Sequence, residues 1–357
     1  MLTAMPRASH SDLHMLSDEL ITETKFHFPS CDTDRLTVTA LEKGGSDRKF
    51  FRLTGLDIPP LILVQYSGNK EENRHYVDLG LFLAEAGVQV PKIHFHDPAK
   101  GLIWMQDLGD EDLWASRHED WTKRRPLYES ALQQVFTMHS RASALAPGRP
   151  LQMEREFNEQ LYLWEQNYFL DHCLGAVFGI DKEALATFRF PRTLEKIAHC
   201  LAALPRVIVH RDFQSQNILI IDGSAWLIDF QGMRPGLPQY DLASLLYDPY
   251  VPFQDSERKE LMTFYKNLWD SHLDPLPDYE EVFRLCALQR LMQALGAYGF
   301  LGLTKGRTSF LSHIPAARAS LTSVVSSVEG LEDLASLLEE LPRNPHTVSQ
   351  ASAHLAS

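Results

Sequence analysis

The spacing of apolar residues changes at Gly109, and this change restricts the folds open to the chain. Before Gly109, short runs such as "LTVTA" (36–40) and "PLILVQYS" (60–67) have the pattern of β-strands. After it, helical spacing covers roughly 123–145, 153–173, 182–203, 240–247, 256–271, 278–303 and 315–341. We therefore expect an α+β fold with a β-rich lobe over 18–107, an α-rich lobe over 108–341 and a disordered tail over 342–357.

The segment "HRDFQSQNILIIDGSAWLIDF" (210–230) provides the only strand pattern that we identify in the α-rich region. Its Asp-Gly pair predicts a hairpin turn, and a three-residue loop over 222–224 would place Asn217 opposite Asp229. An amide oxygen and a carboxylate at one point suit Mg²⁺. Asp212, five residues before Asn217, can face the same point as a general base.

Each of these residues alone also fits a structural role, because loop Asp and Asn residues commonly form turns or cap helices. The combined spacing His-Arg-Asp-x-x-x-x-Asn, followed by Ile-Asp-Phe, is the pattern that kinases use for their base and metal ligands. The combination therefore favours phosphoryl transfer over a purely structural role.

The sequence resembles the aminoglycoside phosphotransferase and choline kinase superfamily, the small-molecule relatives of protein kinases. The segments that match are "VIVHRDFQSQNILI", "LIDFQ" and "PQYDLASLL". "GGSDRKFFRL", "YDLASLLYDPYV" and "LQRLMQALGAYGFL" are similar to bacterial N-acetylmuramate/N-acetylglucosamine anomeric kinases. The resemblance implies a bilobal protein-kinase-like fold, ATP and Mg²⁺ as cofactors, and a sugar acceptor phosphorylated at C1 in cell-wall recycling.

Carried over residue by residue, the resemblance assigns roles within the catalytic block. Asp212 would take the acceptor proton, and His210 would brace the loop. Asn217 and Asp229 would hold Mg²⁺ on the ATP phosphates. Asp241 would anchor the loop from below, although Asp before an apolar helical run is also typical of an N-cap.

Nucleotide contacts are expected from the N-terminal lobe and from the connection between the lobes. Small residues after a strand let backbone N–H groups approach phosphate, although a glycine pair is also typical of a plain hairpin turn. The connection would grip adenine through backbone groups. The resulting candidates are Gly44, Gly45, Ser46, Arg48, Lys49, Glu72, Gln106, Asp107 and Leu108.

The third strand departs from the kinase pattern. It carries Gln65 where kinases generally have a Lys paired with a helix Glu. The phosphate charge would then be met by Arg48 or Lys49, unless these belong to a solvated strand face. The missing Lys leaves open a nucleotide-binding pseudokinase that regulates a partner, whereas the intact catalytic residues favour an enzyme.

The acceptor site is the least defined by sequence. Arg234 and Arg290 are candidates for binding an N-acetylmuramate carboxylate, because guanidinium groups bind carboxylates in bidentate fashion, while surface solvation is the alternative. Other acceptors remain open: an amino alcohol, a homoserine-like compound or an aminoglycoside. A protein acceptor is disfavoured, because "QGMRPGLPQYDLASLL" leaves no room for an extended activation segment.

Composition restricts the partners further. A formal net charge of −13 disfavours nucleic acid and anionic membranes, and no apolar run approaches a membrane span. The N-terminus has no secretory signal and the four cysteines form no CxxC pair, so we expect a cytoplasmic protein with reduced thiols. We also expect a monomer.

Overall fold

The structure is a computed structural model that describes residues 10–29, 35–41, 48–55, 57–67, 71–272, 276 and 278–342, without the side chains of 10–17 and 71–72. The chain divides into two compact units. The N-terminal unit is Met1–Glu85 with Val90–Gly109, and the C-terminal unit is Ala86–Gln89 with Asp110–Ser357. The predicted tail lies outside the described residues from 343 onward.

The N-terminal unit contains a five-stranded antiparallel sheet, as the sequence predicts. The strands are β1 (Thr37–Leu41), β2 (Lys49–Thr54), β3 (Leu61–Gln65), β4 (Ile93–Asp97) and β5 (Leu102–Gln106), in the spatial order β1-β2-β3-β5-β4. The helices described in this unit are α1 (His10–His27) and α2 (Glu71–Glu85).

Trp104 of β5 lies in the core of the N-terminal unit. Its ring is fully buried among Leu20, Phe51 and Leu63. Its indole N–H donates to Thr24 Oγ1 at 2.9 Å, so the polar atom of this large side chain is satisfied inside the core. The contact fixes α1 against the sheet.

The C-terminal unit is mainly helical, also as predicted. Its helices are α3 (Trp121–Thr137), α4 (Ser143–Leu145), α5 (Glu159–Phe169), α6 (Lys182–Leu185), α7 (Phe190–Ala202), α8 (Pro238–Leu246), α9 (Asp255–His272), α10 (Tyr279–Gly299), α11 (Ile314–Val325) and α12 (Glu332–Glu340). The π-helical turns Met138–Ala142, Leu170–Val177 and Phe300–Thr304 extend α3, α5 and α10. Within the described residues, no helix combines the length and apolar character needed to cross a bilayer.

The single helix predicted over 315–341 is wrong, because α11 and α12 are separate. Gly330 lies between them with φ +81°, a left-handed conformation that interrupts a right-handed helix. Apolar residues continue at helical spacing through this break, so the periodicity does not reveal it.

The described residues of the C-terminal unit form two strand pairs, rather than the single predicted hairpin. β7 (Ile218–Ile221) pairs with β8 (Ser224–Leu227), and β6 (Val207–Val209) pairs with β9 (Arg234–Gly236). Strands of three residues are too short to show a period of two, and β9 contains Pro and Gly, which are depleted in strands.

Candidate active site

The hairpin turn is tighter than predicted. Ile221 pairs with Ser224, so the loop has two residues instead of the expected three over 222–224. Asp222 and Gly223 both have positive φ, 49° and 75°, as a two-residue hairpin turn of this hand requires. The prediction failed because Asp adopts the left-handed conformation readily enough for the pair to close the turn alone.

The two predicted metal ligands lie at the open end of the hairpin, one residue out of the expected register. Ile228 N donates to Asn217 O at 3.0 Å, so Asn217 faces the residue before Asp229. Asn217 Nδ2 donates to Asp212 O at 2.9 Å, which leaves Oδ1 as its ligand atom. Gln231 Nε2 donates to Asp229 Oδ1 at 2.8 Å. An oriented amide oxygen and a carboxylate fit the oxygen donors that Mg²⁺ prefers.

Asp241 in α8 holds the beginning of the candidate catalytic loop (residues 210–217, the catalytic loop). Its carboxylate accepts from His210 N at 2.6 Å and from Arg211 N at 2.8 Å. Arg211 has φ +77°, which is unfavourable for a non-glycine residue, and these two bonds offset that cost. The N-cap of α8 is Leu237, so the N-cap alternative for Asp241 is wrong.

A buried chain of polar groups continues from Asp241 to α9. His139 Nε2 lies 2.9 Å from Asp241 Oδ2, and His139 Nδ1 lies 2.6 Å from the Tyr265 hydroxyl. Because an ionised carboxylate can only accept, Nε2 is the donor to Asp241, and the other ring nitrogen is bonded to Tyr265. Burial raises the pKa of Tyr265 well above its ordinary value, which keeps the phenol protonated.

The far end of the catalytic loop is fixed by Asp248. This buried carboxylate accepts from Ser215 N at 3.0 Å and from Ser215 Oγ at 2.6 Å. His210 Nε2 lies 3.0 Å from Ile228 O, which connects the loop to the hairpin. Hydrogen bonds therefore fix the loop near both of its ends and connect it to Ile228, the residue that follows β8.

Asp212 lies between two guanidinium groups. Arg211 Nη1 donates to Asp212 Oδ2, and Arg290 Nη2 lies 3.9 Å from Asp212 Oδ1. Burial raises the pKa of Asp212, but the charges of Arg211 and Arg290 and the Arg211 hydrogen bond outweigh it and hold the pKa below its ordinary value. Its side chain is 27% exposed, so it remains accessible to a reacting group.

The two candidate acceptor residues lie in different environments. Arg290 in α10 is buried, and its Nε donates to Ser244 Oγ at 3.1 Å while Nη2 faces Asp212. Arg234 in β9 is half-buried, and its Nε donates to Gly232 O at 3.1 Å. Arg290 therefore faces the Asp212 carboxylate, whereas the hydrogen bond of Arg234 to a described residue is made by its Nε.

Glu165 of α5 is a buried acid that the sequence did not reveal. It accepts from the Tyr240 hydroxyl at 2.8 Å and from Gln289 Nε2 at 3.2 Å. Burial raises its pKa, while the hydrogen bond from Tyr240 and the charge of Arg211 oppose this increase. A glutamate within a helical pattern normally indicates a solvated face, so no sequence signal distinguished it.

In the N-terminal unit, the two candidate phosphate cations differ in placement. Lys49 is the first residue of β2, is exposed, and pairs directly with Gln65 of β3. Arg48 precedes the strand, and its guanidinium lies 5.7 Å from the ring centroids of both Phe50 and Tyr76.

The candidate adenine-binding segment follows β5. Gln106 N donates to Lys92 O at 2.8 Å, and Asp107 N donates to Pro60 O at 3.3 Å. The Asp107 carboxylate forms an ion pair with Arg52 at 2.6 Å, and Leu108 is buried. Four other candidates cannot be placed: the side chain of Glu72 and all of Gly44, Gly45 and Ser46 lie outside the described residues.

A family model with the description "Phosphotransferase enzyme family" matches residues 37–282 of the chain. The N-acetylmuramate/N-acetylglucosamine kinase of Pseudomonas aeruginosa is 25% identical over 303 residues, which cover 84% of this chain and 86% of that protein. A protein of the same name from Neisseria meningitidis is 24% identical over 322 residues, covering 88% and 92% of the two chains.

Solved structures share the fold at lower identity. A choline/ethanolamine kinase family protein from Mesorhizobium loti has a TM-score of 0.58 and 15% identity, covering 90% of this chain and 98% of that one. An ADP-bound aminoglycoside phosphotransferase has a TM-score of 0.55 and 15% identity, covering 86% and 99%. These likenesses confirm the predicted α+β fold of the protein-kinase-like type, with β-rich and α-rich parts.

Proposed function

Because the chain belongs to the phosphotransferase enzyme family, we propose that it is a kinase that transfers the γ-phosphoryl group of ATP to a small amino sugar. The acceptor that we propose is N-acetylmuramate, N-acetylglucosamine or both, at the C1 hydroxyl, as a step in cell-wall recycling. Relatives named for these two sugars, which align over most of this chain, support the choice. The family match, together with a structural neighbour bound to ADP, supports ATP as the donor.

One structural observation supports the catalytic assignment most directly. The hydrogen bond from Asn217 Nδ2 to Asp212 O and the bond from Ile228 N to Asn217 O bring Asp212, Asn217 and Asp229 to one place in the fold. We propose Asp212 as the base, with Asn217 and Asp229 holding Mg²⁺. The bound ion would supply positive charge to the phosphate oxygens as negative charge shifts during transfer.

The environment of Asp212 suggests how it acts. Two guanidinium groups keep its carboxylate ionised, and they also make it a weak base. Its first task is to accept a hydrogen bond from the acceptor hydroxyl and aim that oxygen at the phosphorus. The proton then transfers as the hydroxyl becomes acidic in the transition state. A sugar C1 hydroxyl suits such a base, because the ring oxygen makes it more acidic than the other hydroxyls.

Arg290 and Asp241 would position the base, Asp212, without contacting the acceptor. Arg290 lies 3.9 Å from Asp212 and is fixed by Ser244, so we assign it to positioning the carboxylate instead of binding the acceptor. Asp241 would fix the backbone that precedes Asp212 through its bonds to His210 and Arg211.

The nucleotide would be bound by residues of the N-terminal unit. We propose Lys49 as the cation for the phosphates, because its place in the sheet is opposite Gln65. The N–H groups of Gln106 and Asp107 donate within this unit, whereas Leu108 N–H donates to no described residue. Leu108 N–H is therefore the group that we assign to adenine, within a segment fixed by the Arg52–Asp107 ion pair.

An acceptor panel tests the proposed function. Purified protein with Mg-ATP is offered N-acetylmuramate, N-acetylglucosamine, glucose, choline, homoserine and kanamycin, and ADP release is measured. We expect turnover with one or both amino sugars and an acid-labile product without a reducing end, as phosphorylation at C1 requires. Turnover of choline or kanamycin but of neither sugar would assign a different acceptor. ATP binding without turnover of any acceptor would indicate a pseudokinase.

A further inference from the structure

Arg234 is a half-buried cation without a carboxylate partner in the described part of the chain. Its Nε donates to Gly232 O at 3.1 Å, and its guanidinium carbon lies 5.4 Å from the ring centroid of Phe157. No carboxylate of a described residue lies within 4.0 Å of its guanidinium nitrogens. By contrast, the structural Arg124 of the same unit is paired with Glu257 at 2.6 Å. The two terminal nitrogens of Arg234 thus remain available for a ligand.

The side chain of a second arginine, Arg211, approaches the same glycine as Arg234. The Cδ atom of Arg211 is 3.9 Å from the position that a Cβ on Gly232 would occupy, so both arginine side chains lie against Gly232. Burial, followed by the charge of Arg211, lowers the pKa of Arg234. Arg211 already shares its charge with Asp212. Asp212 is the carboxylate paired with Arg211, whereas Glu154 acts on Arg234 only from beyond ion-pair distance. An anion can therefore still bind at the terminal nitrogens of Arg234.

We propose that Arg234, supported by the field of Arg211, binds a carboxylate of the phosphoryl acceptor. Its terminal nitrogens can form two parallel hydrogen bonds to a carboxylate, as guanidinium groups commonly do. N-acetylmuramate carries a carboxylate on its lactyl ether, whereas N-acetylglucosamine has none. Arg234 is then the residue that sets the preference between them. This inference rests on the proposed function, since it requires that these sugars are acceptors.

The test uses Arg234→Gln in the full-length protein, with both sugars as acceptors and saturating Mg-ATP. Loss of a charge-assisted bidentate contact should raise the KM for N-acetylmuramate about ten- to a hundredfold. The KM for N-acetylglucosamine and the KM for ATP should remain within about twofold of the wild-type values. Arg155→Gln is the matched control, because it removes the same charge from an exposed position in a nearby segment.

A change in the substrate tests the same contact in the wild-type protein, so the result does not depend on whether a variant folds correctly. The methyl ester of N-acetylmuramate lacks the anion, so the wild-type protein should bind it as poorly as Arg234→Gln binds N-acetylmuramate itself. In Arg234→Gln the ester and the acid should behave alike, because the two changes remove one interaction. Arg234→Lys should recover part of the preference for the acid through its remaining charge.

The outcomes separate this inference from the proposed function. If the wild-type protein phosphorylates neither sugar, the proposed function is wrong. If it phosphorylates both and Arg234→Gln raises the KM for neither, the carboxylate assignment alone is wrong. An increase in the KM for ATP with either sugar would place Arg234 on a nucleotide phosphate instead and would also overturn the assignment.

Discussion

Lys49 lies directly opposite Gln65 in the antiparallel ladder between β2 and β3. Residues in this relation project from the same face of a sheet, with their Cβ atoms about 5 Å apart. The Lys49 side chain therefore projects from the same face of the sheet as Gln65. Gln65 lies on the third strand, where kinases generally have a lysine. The sequence left Arg48 and Lys49 as equal candidates, and the strand register favours Lys49.

The first prediction concerns this cation. Lys49→Gln should weaken ATP binding about ten- to a hundredfold, because a charge-assisted phosphate contact contributes about 1.5–3 kcal/mol. Arg48→Gln should have a smaller effect, because the Arg48 guanidinium already lies against Phe50 and Tyr76. Calorimetric titration with Mg-ATP measures both variants.

A lysine exchange provides the control for this prediction. Adding Gln65→Lys to Lys49→Gln should restore part of the ATP affinity, because it returns one positive charge to the same face of the sheet. Wild-type affinity in Lys49→Gln alone would assign Lys49 to a solvated strand face.

The second prediction separates the base from the metal ligand. Asp212→Asn should abolish turnover but leave Mg-ATP affinity nearly unchanged, because a base contacts the acceptor. Asp229→Ala should abolish both turnover and the Mg²⁺ dependence of ATP affinity. Asp222→Asn is the matched control in the same hairpin, and it should change neither quantity because Asn-Gly also favours this turn. Normal turnover in Asp212→Asn would disprove the base assignment.

The sequence predicted the fold class and the hairpin that lies between Asn217 and Asp229, because these depend on local patterns. Apolar periodicity distinguishes strands from helices, and the Asp-Gly turn brings the two ends of one hairpin together. Even here, the loop length was wrong by one residue, since Asp222 adopts φ +49°. Local sequence patterns therefore predict which segments pair more reliably than they predict the exact register of the pairing.

The supporting residues could not be predicted, because their partners are distant in sequence. His139 contacts Asp241 102 positions later, and Arg290 faces Asp212 from 78 positions away (290 − 212). Such contacts depend on how the helices pack against one another. The spacing of residues within a single segment contains no information about them. Glu165 was missed for the same reason.

The third prediction is a change in pH dependence when Arg290 is replaced. The wild-type pKa of Asp212 is below its ordinary value, with Arg290 among the groups that lower it. Arg290→Gln removes that charge, so the pKa of Asp212 should rise and more of the carboxylate should be protonated at acidic pH. The acid limb of kcat/KM should therefore move to higher pH, with the greatest loss of activity at the acidic end.

The pH prediction has a control in the same helix. Arg284 pairs with Glu281 at 2.9 Å on the surface of α10, so Arg284→Gln should leave the pH profile unchanged. An identical acid limb in Arg290→Gln would mean that Arg290 does not act on the base. A higher KM for the acceptor alone would return Arg290 to the acceptor site.

The last prediction concerns Asp241, which joins the catalytic loop to the buried chain through His139. In Asp241→Asn, an amide NH₂ replaces one acceptor oxygen, so at least one of the donors from His210, Arg211 and His139 loses its partner. An unsatisfied buried donor costs about 1–3 kcal/mol, which corresponds to a fall in Tm of about 2–4 °C per kcal/mol in a unit of this size. kcat should fall by more than the loss of folded protein explains, because the strained backbone of Arg211, which precedes the base, is no longer held.

Asp255→Asn is the control for Asp241→Asn, since the Asp255 side chain is fully exposed and pairs with Arg258 only on the surface. It should change stability by no more than about 0.5 kcal/mol. Thermal unfolding gives the stability of both variants, and kcat is measured at a temperature at which each remains folded. If Asp241→Asn loses stability but keeps its kcat, Asp241 supports the packing of α8 and α9 without positioning Asp212. A fall in kcat that acceptor concentration does not restore would instead show that the bonds to His210 and Arg211 set the geometry of the base.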